Sequence, residues 1–284
     1  MNSRSLPIGF CGLIIAIFAF LPTIAQELYV FTDPASTKPA RSIGLKHSFQ
    51  KMGGNSNRNN QYTQMQFGLS KKVSLYLGTN YNGQDAYVQY RFYTKDAMYA
   101  HTRFAFYAKS IQTKLQAIHT SAVLLDGEES VNGLGFIATQ LKHKWASSLS
   151  LGYVEKQNWS QHYGRGAFQY SFSNGLLVYP KRYSSYGQTN VNLYLELLGQ
   201  KLLSGRGQYL DAAPAIQMIF NSQSKLNLGY RFALLEKTNR MTNNSLFISL
   251  DYLFFNASPN FTSATSLINN GIPLDKVLTG ILEI

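Results

Sequence analysis

Cysteine is nearly missing from this chain. The one cysteine, Cys11, lies in a leader-like stretch, so the remainder has no means of making a disulfide, a thiol nucleophile or a zinc–thiolate site. Charge is scarce as well. Asp, Glu, Lys and Arg make up 14% of the residues, about half the usual share for a soluble domain. Beyond residue 26 no run approaches the ~18 apolar residues of a membrane-crossing helix, which excludes a helical membrane protein. Metal-pair spacing is lacking too. The five histidines, His47, His101, His119, His143 and His162, show no close i, i+2 or i+4 pairing, and no cofactor motif accompanies them.

Aromatic residues are abundant, at 14% of the chain with 19 Tyr and 18 Phe. Few charges and many aromatics fit a protein with an apolar exterior and a polar interior. Residues 1–25 read as a secretory signal. Arg4 supplies the positive end, Ile8 to Leu21 the short apolar stretch, and Thr23-Ile24-Ala25 a small-residue cleavage site before Gln26.

From there the chain alternates apolar and polar residues, the period of strands with two unlike faces. Met65, Phe67 and Leu69 oppose Gln64, Gln66 and Gly68. Val191, Leu193, Leu195 and Leu197 oppose Asn192, Tyr194 and Glu196. Leu226, Leu228, Tyr230 and Phe232 oppose Lys225, Asn227, Gly229 and Arg231. Leu246, Ile248, Leu250, Tyr252 and Phe254 oppose Ser245, Ser249 and Asp251. The stretches 72–81, 86–93 and 145–153 alternate in the same way, and weaker alternation covers 42–52, 101–109, 131–142, 162–173, 175–182 and 208–220. Tight turns at Lys71-Lys72 and Asn221 to Ser224 alternate with longer polar loops such as 53–60, 156–161 and 236–244. The polar face carries Gln, Asn, Ser, Gly and Tyr rather than the Lys and Glu of a soluble sandwich. The pattern predicts an all-β, closed antiparallel transmembrane barrel of about 12 strands, between 10 and 14. In hydrocarbon, only a closed sheet satisfies every backbone N–H and C=O.

The expected organisation is a signal peptide over 1–25, a periplasmic N-terminal segment over 26–41, the barrel over 42–255, and a tail over 256–284. The tail lacks strand alternation and is read as a plug, an interfacial segment or a disordered end.

The segment Tyr209-Leu-Asp-Ala-Ala-Pro-Ala-Ile-Gln-Met-Ile-Phe, with Asn221-Ser-Gln-Ser-Lys-Leu-Asn-Leu-Gly-Tyr-Arg-Phe after it, resembles a hairpin of porin-type and transporter-type outer-membrane proteins. Together with Glu27-Leu-Tyr-Val-Phe-Thr-Asp-Pro-Ala-Ser, it is similar to porin-like outer-membrane barrels of the Bacteroidetes type. That resemblance implies the fold and an outer-membrane location in a Gram-negative bacterium, and brings no established substrate. Ser245 to Phe254 is similar to the closing strand that the barrel-assembly machinery recognises, except that the chain continues past it.

The net charge is +12. Basic side chains in loops and turns suit anionic headgroups and lipopolysaccharide phosphates. Nucleic acid is not an expected partner, because no recognition motif is present. The strand parity turns Lys46, Arg91, Arg103, Lys109, Glu196, Lys225, Arg231 and Asp251 inward, with Arg91, Arg103, Glu196, Arg231 and Asp251 as a lumen charge network. Arg231 is expected between Glu196 and Asp251. Such a network either selects anionic solutes or fills a narrow bore. Inward Tyr76, Tyr87, Tyr107 and Tyr194 favour a narrow bore. Gly133, Gly135, Gly152, Gly164, Gly166, Gly205 and Gly207 include three G-x-G pairs, which lack the strand–loop–helix context of a phosphate cradle, and these glycines are read as relieving curvature and making room for lumen aromatics. Catalysis is not expected. His143 lies near Ser147 and Ser148, but no nucleophile motif stands out. The function read from the residues is a narrow porin-like or transport channel for small, anionic solutes. The alternatives are a non-conducting barrel acting through its loops and, more remotely, a membrane-embedded hydrolase.

Overall fold

The computed structural model describes residues 29–54, 58–97, 100–113, 130–157, 166–180, 188–203, 207–237, 242–255 and 257. Twelve strands follow one another: β1 (Ile43–Gly54), β2 (Arg58–Gly68), β3 (Val73–Asn80), β4 (Gly83–Ala97), β5 (Ala100–Thr113), β6 (Val131–Lys142), β7 (Trp145–Lys156), β8 (Gly166–Tyr179), β9 (Asn190–Leu202), β10 (Gln208–Phe220), β11 (Ser224–Glu236) and β12 (Thr242–Phe254). Each pairs antiparallel with the next. β1 closes on β12 in a ladder from Ile43 opposite Phe254 to Met52 opposite Ser245. The sheet therefore has no free edge, as hydrocarbon requires.

Burial follows strand parity. Leu195 is 53% exposed and its neighbour Glu196 is 0% exposed. The same inversion sets exposed Leu228 and Tyr230 against buried Asn227 and Arg231, and exposed Leu250 against buried Ser249. The outward set forms an apolar belt rich in aromatics. Phe92 stacks on Phe106 at 4.7 Å between ring centroids, and Tyr252 meets Phe254 at 4.6 Å. This fits a wall facing lipid.

Four bulges or irregularities interrupt the ladders; besides one at the end of β1 between Gly53 and Gly54, three lie in β4, β8 and β10. The one between Arg91 and Tyr93 leaves Phe92 and Tyr93 both outward, then returns Asp96 to the lumen opposite His101. Another lies between Leu210 and Asp211 and sets Asp211 opposite Ala233. The third lies in β8 between Leu177 and Tyr179. Residues 166–173 and 175–179, parts of the two stretches 162–173 and 175–182 read separately from the sequence, belong to this single strand. It runs through Asn174-Gly175 because a Cβ at Gly175 would lie 2.3 Å from the Tyr194 ring, so glycine there admits a neighbour rather than turning the chain.

β1 begins and β12 ends at the same rim, called the lower rim below. The lower turns include His143-Lys144, with His143 at φ 56°, and Asn221–Gln223, with Asn221 at φ 50° and Ser222 at φ 56°. These left-handed backbones match the twist of tight hairpins. The longest connection, 114–130, joins β5 to β6 at the opposite rim. The signal stretch 1–25 and the tail 256–284, apart from residue 257, lie outside the described residues.

Residues 29–41 belong to the stretch 26–41 that the sequence reading takes as a periplasmic N-terminal segment. They enter the lumen. Tyr29, Val30 and Ala35 are buried, and the segment returns to the lower rim, where the Arg41 N–H donates to the Gly68 carbonyl.

Candidate functional site in the barrel lumen

Three properties of residues 29–38 explain the re-entry. The apolar side chains Tyr29, Val30 and Phe31 find partners inside: Tyr29 meets the Tyr194 ring edge-on at 5.6 Å, and Phe31 lies 5.2 Å from Phe247. The wall leaves space for Phe31. A Cβ at Gly229 would stand 2.6 Å from its ring. Lastly, the backbone groups of a strand-less segment need partners wherever water is excluded, and the wall provides them one by one.

Glu196, wholly buried on β9, takes most of that role. Its Oε1 accepts from the Val30 and Phe31 N–H groups at 2.8 and 3.0 Å. Its Oε2 accepts from Thr32 Oγ1 at 2.7 Å and from Ser173 Oγ at 3.2 Å. Further along, Gln89 Nε2 donates to the Pro34 carbonyl, and the Ala35 N–H donates to Thr139 Oγ1. Arg103 Nη1 donates to Ser36 Oγ at 2.7 Å, and the Lys38 N–H to Ser74 Oγ. Six strands, β3 to β6 with β8 and β9, thus hold one stretch of ten residues.

All five residues of the expected charge network face inward, but the structure does not join them. Glu196 binds the segment. Arg103 bridges Ser36 and Asp96, the latter at 3.3 Å. Arg91 donates to the Lys71 carbonyl at the lower rim. The ion pair of Arg231 is to Asp211, Nε to Oδ2 at 2.6 Å with both side chains buried. Neither Glu196 nor Asp251 supplies it, which corrects the expected contact. Arg231 lies in register with Ser245, while Asp251 lies opposite Lys46 on one side and Lys225 on the other. Lys109 donates to Gln169 Oε1 at 2.7 Å.

Sequence reading missed Asp211, Asp85 and Asp33. The signal for Asp211 was its place in the weakly alternating stretch 208–220, where the bulge obscures parity. Asp85 accepts from Tyr62 Oη at 2.9 Å, at the head of a relay in which Gln66 donates to Gln64 and Gln64 to Tyr62. A second relay crosses β9 to β12. Tyr194 donates to Gln217, Gln217 to Asn227, Asn227 to Ser249, and Ser249 to Asp251 Oδ1.

The inward tyrosines form a third group. Tyr87 sits 5.1 Å from Tyr76 and 5.4 Å from Tyr107. Gly135 and Gly152 make room for the Tyr107 hydroxyl, since a Cβ at either would fall within 2.5 Å of it.

The lumen is divided but not full. A lower cavity of about 760 Å3 lies beneath and beside the segment, and cavities of about 320 and 200 Å3 lie above it. Asp33 and Phe31 line all three. Lys46 and Tyr62 are shared by the lower cavity and one upper cavity, and Gln64 by the lower cavity and the other. Phe31 and Asp33 of the segment, with Lys46 of β1 and Tyr62 and Gln64 of β2, thus stand between the lower cavity and the upper ones.

No catalytic constellation emerges from the pair Ser147 and Ser148. They lie on opposite faces of β7, bonded to Asn174 and Thr139 respectively. Among the described residues, no cluster of three His, Cys, Asp or Glu could hold a metal.

No family model matches the chain, and none of the curated proteins matches it. Solved structures do. The NanC porin is 10% identical, with 74% of this chain and 98% of that one covered and a TM-score of 0.47. An outer membrane channel from Pseudomonas putida F1 is 11% identical, with 80% and 100% covered and a TM-score of 0.46. The KdgM porin is 10% identical, with 75% and 99% covered and a TM-score of 0.44.

Proposed function

We propose that this chain is a narrow porin-like channel of the Gram-negative outer membrane, passing small solutes with a preference for anions. One observation carries the reading: cavities lie on both sides of the segment, and the lower one shares Asp33, Lys46 and Tyr62 with one upper cavity and Asp33 and Gln64 with the other. A bore crossed by a peptide passes ions and small metabolites and excludes large ones. The lower rim is periplasmic in this reading, as the shorter turns and the chain ends of an outer-membrane barrel are. Export by residues 1–25, insertion by the barrel-assembly machinery, contact with lipopolysaccharide and kinship with Bacteroidetes-type barrels belong to the same proposal. No reaction chemistry is assigned.

A second reading has an observation of its own. The hydrogen bonds of Glu196, Gln89, Thr139, Arg103 and Ser74 to the segment are those of a lumen filling that stays in place. Such a barrel would be a non-conducting interaction protein working through its loops. Planar-bilayer recording of the refolded chain separates the two. Discrete small conductance, with a reversal potential toward the anion in a salt gradient, supports the channel. A folded barrel without conductance overturns it and leaves the structural barrel.

A further inference from the structure

Three lysines converge on a single carboxylate in the lower cavity. Lys46 on β1 and Lys225 on β11 flank Asp251 on β12 as direct cross-strand neighbours, so their Cα atoms stand about 5 Å from that of Asp251 and about 10 Å from each other. Lys38 reaches the same cavity from the segment, its ammonium 5.9 Å from the centre of the Tyr76 ring. The Lys46 ammonium stands 5.6 Å from the centre of the Phe247 ring. None of these lysines makes an ion pair with a described residue.

Two features mark this as a built site rather than a solvated surface. Lys225 is only 5% exposed, and it lines the cavity without a hydrogen-bond partner among the described residues. Burying an ammonium is costly, and Asp251 is shared among three of them, so the position makes sense where a further anion visits. Asp251 is meanwhile held from behind by Ser249, at the end of the relay through Asn227 and Gln217. It is thereby fixed as a spacer between Lys46 and Lys225.

When protonated, the three lysines exceed Asp251 by two positive charges, and by one once Asp33, which lines the same cavity, is counted. A dianion can pair with two of the ammoniums at once, which a monovalent ion cannot. The cavity of about 760 Å3 has ample room for a small organic ion.

We propose that Lys38, Lys46 and Lys225, spaced by Asp251, form a binding site for a small dianion, an oxyanion or dicarboxylate, entering from the lower rim. The site would give the channel its solute class. It rests on the channel reading only for the solute's route onward, because the cavity itself lies on the lower side of the segment. Bound there, the dianion touches both the wall and the segment, so the site joins them.

The test uses sulfate, which stays a dianion throughout the working pH range, with the refolded chain in detergent and equilibrium dialysis against labelled sulfate in a chloride-free buffer. One sulfate per chain is expected, displaced by succinate at concentrations far below those at which chloride acts. Lys38→Met removes a charge without touching a strand and should weaken binding roughly tenfold, as should Lys225→Met. Asp251→Asn raises the positive excess by one and should tighten binding several-fold. Opposite signs at Lys38 and Asp251 are what a structural role would not produce. Heat-dependent gel migration confirms that each barrel is folded. If Lys225→Met does not fold, Lys38→Met and Asp251→Asn still decide. Absence of saturable sulfate binding, or binding indifferent to Lys38→Met and Asp251→Asn, overturns the site. Bilayer recording is scored separately. A conducting barrel that binds no sulfate removes the site and keeps the channel, and a sulfate-binding barrel without conductance does the reverse.

Discussion

Removing the Glu196 carboxylate should release the segment from the wall. Glu196→Ala strips two backbone N–H groups, those of Val30 and Phe31, of their acceptor in a buried setting. Each orphaned donor costs about 1–3 kcal/mol, so docking weakens by about 4 kcal/mol, close to a thousandfold in the equilibrium. Water entering the space of the lost side chain offsets part of this. Glu196→Gln keeps an oxygen for both N–H groups and loses only the strengthening that the charge gives, so about tenfold is expected. A reporter is available at Ala35, which is 0% exposed and packs with Ala105 and Ile137. Ala35→Cys in the chain beginning at Gln26 is the sole cysteine. Its labelling by a small water-soluble thiol reagent measures how often the segment leaves the wall. The rate should climb in the order Glu, Gln, Ala, and bilayer conductance should climb with it. Equal labelling in three folded backgrounds would refute the role assigned to Glu196.

Arg231→Met leaves Asp211 buried without its cation, so unfolding free energy should drop by about 3–5 kcal/mol, and adding Asp211→Asn should recover much of that. Urea titrations of the two variants check it, and identical midpoints would dismiss the pair. Gly229→Ala places a methyl 2.6 Å from the Phe31 ring. It should speed labelling at Ala35→Cys while leaving the wall's gel migration intact, and an unchanged rate would show that Phe31 does not hold the segment. Sulfate affinity should also depend on pH through Lys38. Burial foremost, with Lys46 assisting and Asp251 and Asp33 opposing, holds the Lys38 ammonium below the usual lysine range. A bound dianion raises it, so binding takes up protons. Affinity is full below the empty-site pKa and declines as pH rises toward the bound-site value. Lys225 faces Lys38 in the same cavity and contributes to the profile too, so dialysis across alkaline pH is compared between the parent chain and Lys38→Met, and a profile unchanged by Lys38→Met would exclude Lys38 from the site.

The wall was legible in the residues because lipid on one side and a polar lumen on the other impose a period of two. The sets Leu226 to Phe232 and Leu246 to Phe254 face outward as their alternation predicts. Inward orientation of Glu196, Arg231 and Asp251 followed from the same parity. Their partners did not, because a partner depends on the register between strands, and parity is blind to register. Arg231 meets Asp211 only because a bulge shifts β10 against β11. The lumen segment was hidden for a different reason. Residues 29–38 have neither strand nor helix period, and what holds them is a carboxylate more than 160 residues away.

The obstruction of this bore is written upstream of the first strand. Pairing of the twelve strands depends on residues 43 to 254, whereas the dozen or so residues ahead of them fold back into the lumen. Aperture and scaffold are therefore separable units of inheritance. A shorter, longer or differently charged lumen segment could be exchanged without re-registering a single ladder. One wall could in this way serve a series of pores that differ only in the peptide folded back inside them.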